Sequence, residues 1–373
     1  MIKVLELFAG IGACSKALTN LGIEHEIVDA VEIDKYAVAS FNVVHGTNFE
    51  PQNITKWDKD IECDLIMHGS PCQDFSVAGK QAGGDEGSGT RSSLMYETLR
   101  IVAKLKPKYV IWENVKNLLS HKHRHNFDAY LESMEQLGYK NYYQVLNAKN
   151  YGVPQNRERV FTISIRADLN KNFTFPEPIH LERRLKDMLE GNVDEKYYIS
   201  KAMMDYFMGV NQKPSKFPRK ERFLANINRK NQDIANSVTT NAGQRPTDNF
   251  VKVNLKTDLC NRLVEQGVVK GGEIINHSYT NSEQRDTLDK YIETTNGITP
   301  TLTTRPDILG YVENKPLRIR KLTPKECWRL MGFNDSDFDK ASKVNSNAQL
   351  YKQAGNSIVV NVLEAILGEL LCK

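Results

Sequence analysis

The stretch Met1-Ile2-Lys3-Val4-Leu5-Glu6-Leu7-Phe8-Ala9-Gly10-Ile11-Gly12 decides how the chain is read. Residues 3–8 form a short apolar run with an acid, Glu6, inside it. A secretory leader does not carry an acid in its apolar segment, so the run reads as a first strand. Gly10 and Gly12 let the backbone turn tightly and approach a ligand closely. Ala13, Ala17, Leu18 and Leu21 then recur at helical spacing, and Gly22 stops the helix.

The same strand and helix rhythm continues outward. Residues 27–33, 64–67, 109–112 and 159–165 are strand candidates, the last with alternating side chains, and residues 92–105 read as a helix. Phe127, Leu131, Met134 and Leu137 make an apolar stripe that Gly138 ends. Such alternation predicts an α/β fold built on a parallel, doubly wound sheet. From residue 166 to about 312 the periodicity weakens, and Asn, Thr, Lys and Pro become frequent. Two short segments there, residues 234–240 and 298–304, look alike without making a repeat architecture. Near the end, Val359, Val362, Leu363, Ile366 and Leu370 share one helical face, which must be buried, most simply against the first domain. Three segments are expected: 1–180, a second and smaller domain with a hinge at 181–344, and a C-terminal helix at 345–373 that packs back on the first.

Composition narrows the class. The chain has 373 residues, 40% hydrophobic and 26% charged, ordinary values for a globular protein. No apolar run approaches the roughly 18 residues needed to cross a bilayer, so a cytoplasmic enzyme with no membrane partner is expected. The net charge of +4 does not by itself imply nucleic acid, and its distribution matters more. Lys213, Lys216, Arg219, Lys220, Arg222, Arg229 and Lys230 stand against one acid, Glu221, with Phe217 and Phe223 among them. That run is either a solvated loop or a phosphate-contacting surface. The six cysteines are scattered without a Cys-x-x-Cys pair, which argues against a disulfide framework or a zinc ribbon and leaves thiol chemistry. His121, His123 and His125, interleaved with Lys122 and Arg124, would share a face only on a strand. None is expected there, so they read as a solvated or phosphate-facing basic turn, and no metal is expected.

Parallel sheets bind ligands at the carboxyl ends of their strands. Phe8, Ala9, Gly10, Ile11 and Gly12 follow the first strand, and Glu32 with Ile33 ends the second. An acid about 20 residues beyond such glycines suits ribose hydroxyls, so a nucleoside-containing cofactor is expected. After the third strand comes His68-Gly69-Ser70-Pro71-Cys72-Gln73-Asp74-Phe75-Ser76, and after the fourth Glu113-Asn114-Val115. A thiol and a carboxyl are thereby delivered to one crevice. Gly79, Gly83, Gly84, Gly87 and Gly89 beyond the thiol read as a loop or lid.

These motifs resemble those of the cytosine-5 DNA methyltransferases, of the prokaryotic or phage modification type. Residues 69–76 with their Pro-Cys-Gln core and Glu113-Asn114-Val115 are similar to the family's two catalytic motifs. Gln155-Asn156-Arg157-Glu158-Arg159 looks like its Gln-x-Arg-x-Arg motif, and residues 8–12 like its cofactor loop. Residues 320–326 with Gly332-Phe333, and Gly355-Asn356-Ser357, resemble its last two motifs. All occur in the family's order and span the chain from Leu7 to about Ile366, the variable middle apart.

The resemblance implies a methyl transfer from S-adenosylmethionine to carbon 5 of a cytosine flipped out of double-stranded DNA, by an enzyme expected to be monomeric and to serve in restriction-modification or as an orphan. A thiolate added at carbon 6 turns the ring into an enamine whose carbon 5 can attack a methyl group. Cys72 is the implied nucleophile. Glu113 is the group that protonates or hydrogen-bonds ring nitrogen 3. Arg157 and Arg159, two apart on a strand, would project to one face and contact substrate. The cofactor residues implied are Phe8, Ala9, Gly10, Ile11, Gly12, Glu32, Ile33, Asn53, Ile54, Ser70, Pro71, Asn356 and Ser357. The DNA contacts implied are Gln73, Ser76, Gln155 and the basic residues of 213–230, with the middle region recognising the target sequence. Two positions depart from the family: Ala13 stands where a third glycine is common, and Asn53 where an Asp usually accepts from the adenine amino group. The Asn53 carbonyl could still accept, so weaker or altered cofactor contact is expected.

Other readings are less well served. tRNA-modifying relatives typically carry Pro where Ser70 stands and have a smaller middle region. A catalytically dead relative would lack the intact Pro-Cys or Glu-Asn-Val, and a nicotinamide oxidoreductase would leave Cys72 and Glu113 without work. No regulatory extension flanks the motifs, which favours a stand-alone prokaryotic enzyme.

Overall fold

The computed structural model describes residues 1–71, 94–207, 220, 224, 233–238, 240, 249–253, 274–276, 293–295 and 318–372. Two compact units result. The first comprises Met1–Met188, Lys230–Gln244 and Pro324–Lys373, and the second Leu189–Arg229 and Arg245–Thr323. The chain thus divides at 188 and 324, where the sequence suggested 180 and 344, and residues 230–244 return to the first unit.

The first unit is built on a six-stranded sheet. In chain order its elements are β1 (Ile2–Leu7), α1 (Ala13–Asn20), β2 (His25–Val31), α2 (Lys35–His45), β3 (Leu65–His68), α3 (Met95–Leu105), β4 (Tyr109–Val115), α4 (Arg124–Gln136), β5 (Tyr139–Asn147), β6 (Gln155–Asn156) and β7 (Glu158–Arg166). The sheet order is β2-β1-β3-β4-β7-β5. β2, β1, β3 and β4 run parallel, while β7 lies antiparallel to both β4 and β5. The expectation of a parallel sheet therefore holds for four strands and fails for two. β5 was not foreseen: its polar, tyrosine-rich sequence carries little apolar signal for an edge strand. β7 does not alternate. Val160 to Ser164 and Ile165 are all buried, because the strand lies between two neighbours with both faces covered.

Leu5, Leu7, Ile66, Val110 and Trp112 point into one core with Met95, Leu99 and Val102 of α3 and Phe127, Tyr130 and Met134 of α4. The alternate residues Val4, Leu65, Met67 and Ile111 are also buried, so the sheet is covered on both faces. The short β6 pairs in parallel with β8 (Ala235–Asn236), which brings residues 230–244 into this unit. In the second unit are α5 (Lys201–Phe207), the antiparallel pairs β9 (Phe250–Val253) with β12 (Arg318–Lys321), and β10 (Ile274–Asn276) with β11 (Glu293–Thr295). The chain then returns to the first unit through α6 (Pro324–Arg329), α7 (Asp335–Ser342), α8 (Asn347–Asn356) and α9 (Val360–Cys372).

α9 packs on α1 with Val362, Leu363, Ile366 and Leu370 buried, as its apolar face requires. The stretch Asn347–Cys372 has the length and apolar content to cross a membrane. It is broken between α8 and α9 at Ser357, Ile358 and Val359, and its apolar face is spent on this packing.

Glu6, the acid in the first strand, is buried. Its Oε1 accepts from the Ser15 backbone N–H at 2.9 Å and from the Ser15 hydroxyl. No side chain of α1's own N-cap does this work, so a carboxyl from β1 caps the first turn from outside. Burial pushes the Glu6 pKa up from 4.5 to about 7. A raised folded pKa means stability present below pH 4.5 that is lost as pH climbs through about 7. Glu6→Gln keeps an accepting carbonyl without the charge. At pH 8 it should unfold at higher denaturant concentration than the wild type, by up to about 3 kcal/mol, with the gap closing near pH 4.5. Parallel curves at the two pH values would refute the assignment.

Candidate active site

The site is the carboxyl edge of β2, β1, β3 and β4. At the end of β1, Phe8 and Gly10 both take left-handed backbone angles, φ 53 and φ 56, and Gly12 takes φ 80. A Cβ added to Gly10 would meet nothing within 4 Å, so the loop has open space above it. One added to Gly12 would collide with the ring of His45, so here glycine is required by packing as well as by angle. His45 Nε2 lies 3.1 Å from the Ile11 carbonyl. Burial lowers the His45 pKa to about 4, so the ring is neutral at pH 7 and holds the loop by donating to that oxygen.

Glu32 stands next to this loop. Its Oε2 accepts from the Gly10 N–H at 3.1 Å and its Oε1 from the Asp34 N–H at 2.9 Å. Burial pushes its pKa up against these two hydrogen bonds. The glycine turn and the acid 22 residues on are thus one structure. Ile33 beside it is 69% exposed, a large apolar side chain facing outward at a strand end. Asn53 is exposed and caps a short helical turn, its Oδ1 accepting from both the N–H and the hydroxyl of Thr55 at 3.1 and 3.0 Å. The carbonyl expected to serve a ligand is already engaged. The Ile54 side chain is part of the core.

At the ends of β3 and β4 the geometry is tighter. Cys72, Gln73 and Ser76 lie outside the described residues, and Pro71 is half-buried. Ser70, implied above as a cofactor residue, is buried, with its hydroxyl accepting from the Trp112 indole. β4 runs on to Val115, so Glu113 and Asn114 lie on the strand and not after it, opposite Phe161 and Val160 of β7. Glu113 is 8% exposed, and Arg159 Nε lies 3.0 Å from its Oε1. That approach lacks hydrogen-bond angles: Oε1 is buried and has no hydrogen-bond partner among the described residues. A methyl group on Gly69 would come 3.7 Å from Glu113 Oε2, which places the exit of β3 beside the carboxyl.

The two arginines do not share a face as expected. The chain leaves strand geometry at Arg157, between β6 and β7. Arg159 turns to Glu113, while Arg157 is buried and donates to the carbonyls of Val238, Gly355 and Ser357 at 3.2, 3.2 and 2.9 Å. Gln155, expected to touch DNA, is fully buried: its amide N donates to Leu330 O at 2.6 Å and its carbonyl accepts from Val238 N at 3.0 Å. Both residues hold backbone. Asn356 is exposed and Ser357 buried, with the Ser357 carbonyl taken by Arg157.

His123, placed by sequence on a solvated turn, is buried, whereas His121, Lys122 and His125 are exposed. No group of metal-competent side chains occurs among the described residues. Lys220 is exposed, and Lys213, Lys216, Arg219, Arg222, Arg229 and Lys230 lie outside the described residues. His68 and Tyr130 escaped sequence reading. They form a buried pair 2.9 Å apart beneath the β3 exit, and only His68 carried a signal, as a polar residue ending an apolar strand.

The comparisons with known proteins give the family and the fold. The family model described as C-5 cytosine-specific DNA methylase matches residues 2–372. The type II methyltransferase M2.ScrFI of Lactococcus lactis subsp. cremoris is 32% identical, the match covering 99% of this chain and 99% of that protein. The orphan methyltransferase M.SPRI of Bacillus phage SPR is also 32% identical, covering 99% of this chain and 97% of that protein. A crystal structure of a triple mutant of Spodoptera frugiperda DNMT2 has the same fold, with a TM-score of 0.65 at 20% identity over 99% of both chains. The chain belongs to the C-5 cytosine-specific DNA methylase family and is a DNA (cytosine-5-)-methyltransferase, which moves a methyl group from a donor to carbon 5 of cytosine in DNA.

Proposed function

We propose that the donor is S-adenosylmethionine, that the cytosine is flipped out of double-stranded DNA, and that Cys72 and Glu113 act on its ring. The observation that carries this reading is the Glu113 carboxyl, with a buried oxygen that has no hydrogen bond among the described residues, on β4 beside the exit of β3, from which the sequence leads through Pro71 to Cys72. A buried acceptor without a donor is costly unless a ligand completes it.

The chain's own residues fit the cofactor. The open space above Gly10, the carboxylate of Glu32 fixed by two backbone amides, and the exposed Ile33 would hold a nucleoside, with the ribose hydroxyls on Glu32 and the base against Ile33. Asn53 could offer its amide N–H to that base, its carbonyl being engaged with Thr55. When bound, S-adenosylmethionine supplies an electrophilic methyl on a sulfonium.

Carbon 5 of cytosine is a poor nucleophile. The Cys72 sulfur bonds to carbon 6 as Glu113 holds a proton at ring nitrogen 3, and the enamine so formed takes the methyl at carbon 5. Loss of the carbon 5 proton to solvent water, with elimination of the Cys72 thiolate, restores the ring, the sulfonium having left as a neutral thioether. Arg159 lies against Glu113 and adds positive charge where negative charge develops on the ring. A base inside a duplex cannot reach such a crevice, which requires flipping. The bacterial and phage sources of the relatives, and their names, support work inside a prokaryotic or phage-infected cell, in restriction-modification or as an orphan.

DNA carrying 5-fluorocytosine at the target should give a covalent complex, stable on a denaturing gel, that needs the cofactor and vanishes in Cys72→Ala. Fluorine replaces the proton that must leave, so the adduct cannot resolve. Cys72→Ser should lose methyl transfer by well over about tenfold while still binding DNA. Absence of the adduct with wild-type protein on a verified site would remove Cys72 from its role.

Glu113→Gln should slow the chemical step at saturating cofactor by about 100-fold or more, with cofactor affinity nearly unchanged, because an amide donates a hydrogen bond but supplies no proton. A collapse of cofactor binding with normal single-turnover chemistry would assign Glu113 to the cofactor instead.

We further propose that residues 166–312 select the DNA sequence. The chemical motifs stop at Arg159 and resume near Arg320, and the basic run of 213–230 falls between them. Phosphate contacts position a protein, while base edges specify the site. Single Lys→Ala or Arg→Ala changes in that run should weaken binding on all sequences alike and flatten the salt dependence. Grafting this interval from a relative of different specificity should transfer that specificity, as read by bisulfite sequencing. An active chimera that still methylates the original site would place recognition in the catalytic unit.

A further inference from the structure

We propose that Ser70 and Trp112 are positioning residues for methyl transfer: the hydrogen bond from the Trp112 indole to the Ser70 hydroxyl fixes the turn that carries the thiol against the strand that carries the carboxyl. The inference rests on the roles given above to Cys72 and Glu113.

The parallel ladder between β3 and β4 ends at the pair His68 and Trp112. Beyond it β4 continues, paired to β7, through Glu113 to Val115, while the chain after β3 departs as Gly69-Ser70-Pro71. Backbone hydrogen bonds therefore stop setting the separation of the two chains at the point where the chemistry begins. Side chains take over. Trp112 Nε1 donates to Ser70 Oγ at 3.0 Å, and Asn114 Nδ2 lies 3.4 Å from both the hydroxyl and the carbonyl oxygen of Ser70. Ser70 is thus gripped from the residues on either side of Glu113.

The indole cannot turn away. Its ring stacks on His68 at 5.7 Å and 5°, and packs 4.1 Å from Tyr130 and 5.9 Å from Phe127. His68 is itself held by the Tyr130 hydroxyl at 2.9 Å, and its burial lowers its pKa to about 3, so this base of the network stays neutral. Trp112 and Ser70 are 1% and 4% exposed, so no water competes for the bond. Pro71 then passes the placement on. Its ring fixes its own φ and restricts Ser70 to extended backbone, leaving few soft torsions between Ser70 and Cys72. A displacement of about 1 Å in a reacting group can cost about 100-fold in rate.

The test is a double-mutant cycle on the full chain with Ser70→Ala, Trp112→Phe and both together. It is read by single-turnover methylation at saturating S-adenosylmethionine and DNA, and by the rate of adduct formation on 5-fluorocytosine duplex. Each single change should slow both rates by about tenfold or more, with cofactor and DNA affinities within about twofold of wild type. The double variant should be no slower than the slower single one, since both remove the same bond. Rates unchanged in the single variants, slowing that multiplies in the double, or loss of cofactor affinity in step with rate would overturn the proposal. Ser70→Ala removes one oxygen atom, and it decides the matter alone if Trp112→Phe does not fold. A wild-type protein that forms no adduct would instead overturn the role of Cys72, and this inference with it. An adduct in wild type at the same rate as in the variants overturns this inference only.

Discussion

One buried guanidinium holds together parts of the chain that the sequence keeps far apart. Arg157 donates to the carbonyls of Val238, Gly355 and Ser357, residues 81, 198 and 200 positions away. Gln155 adds both ends of its amide, to Val238 and Leu330. These are ends of chain segments with no strand or helix to satisfy them. A buried carbonyl without a donor costs roughly 1–3 kcal/mol, so a single planar side chain with several donors stabilises a junction that ordinary packing could not close. Val238, in the segment that returns to the first unit, and the break between α8 and α9 at Ser357 meet at this junction. It leaves Arg157 and Gln155, which the motif pointed toward substrate and DNA, buried against backbone.

The crevice above that junction uses two carboxyl groups in opposite ways. Glu32 has hydrogen bonds from two backbone amides, which fix its direction whatever is bound. Glu113 has a charged neighbour, Arg159, but an oxygen without a hydrogen bond among the described residues. The first arrangement is a fixed acceptor, suited to recognising hydroxyl groups. The second leaves an atom for a ligand to complete, in a place where burial strengthens whatever interaction it makes. Both lie toward the carboxyl edge of the sheet, Glu32 just after β2 and Glu113 within β4.

The order of the strands, and not their number, gives the site its form. β7 runs antiparallel between β4 and β5. With a partner on that side, β4 extends beyond the end of β3, and Glu113 is carried on a rigid strand instead of a loop. The price is that β3 has no partner for Gly69 onward, and a buried cluster of His68, Trp112, Tyr130 and Ser70 occupies the gap.

Much of this was legible from residue types alone. The apolar run before Gly10 and Gly12, the stripe on α4 and the face of α9 are local patterns, and burial of an apolar face is a demand that a sequence states outright. The glycine loop and Glu32 could be paired from their spacing because a parallel sheet brings consecutive strand ends together. The motifs also carried the chemistry, since a thiol, a carboxyl and a glycine turn have few other uses in that order. Tertiary structure decided what depends on partners distant in the chain. The engagement of Arg157 and Gln155 with backbone, the burial of His123 and the direction in which β7 runs depend on contacts across tens to hundreds of residues. Polar side chains in particular are ambiguous in sequence, because the same donors and acceptors serve water, ligand or a buried carbonyl, and only the packed fold excludes the first.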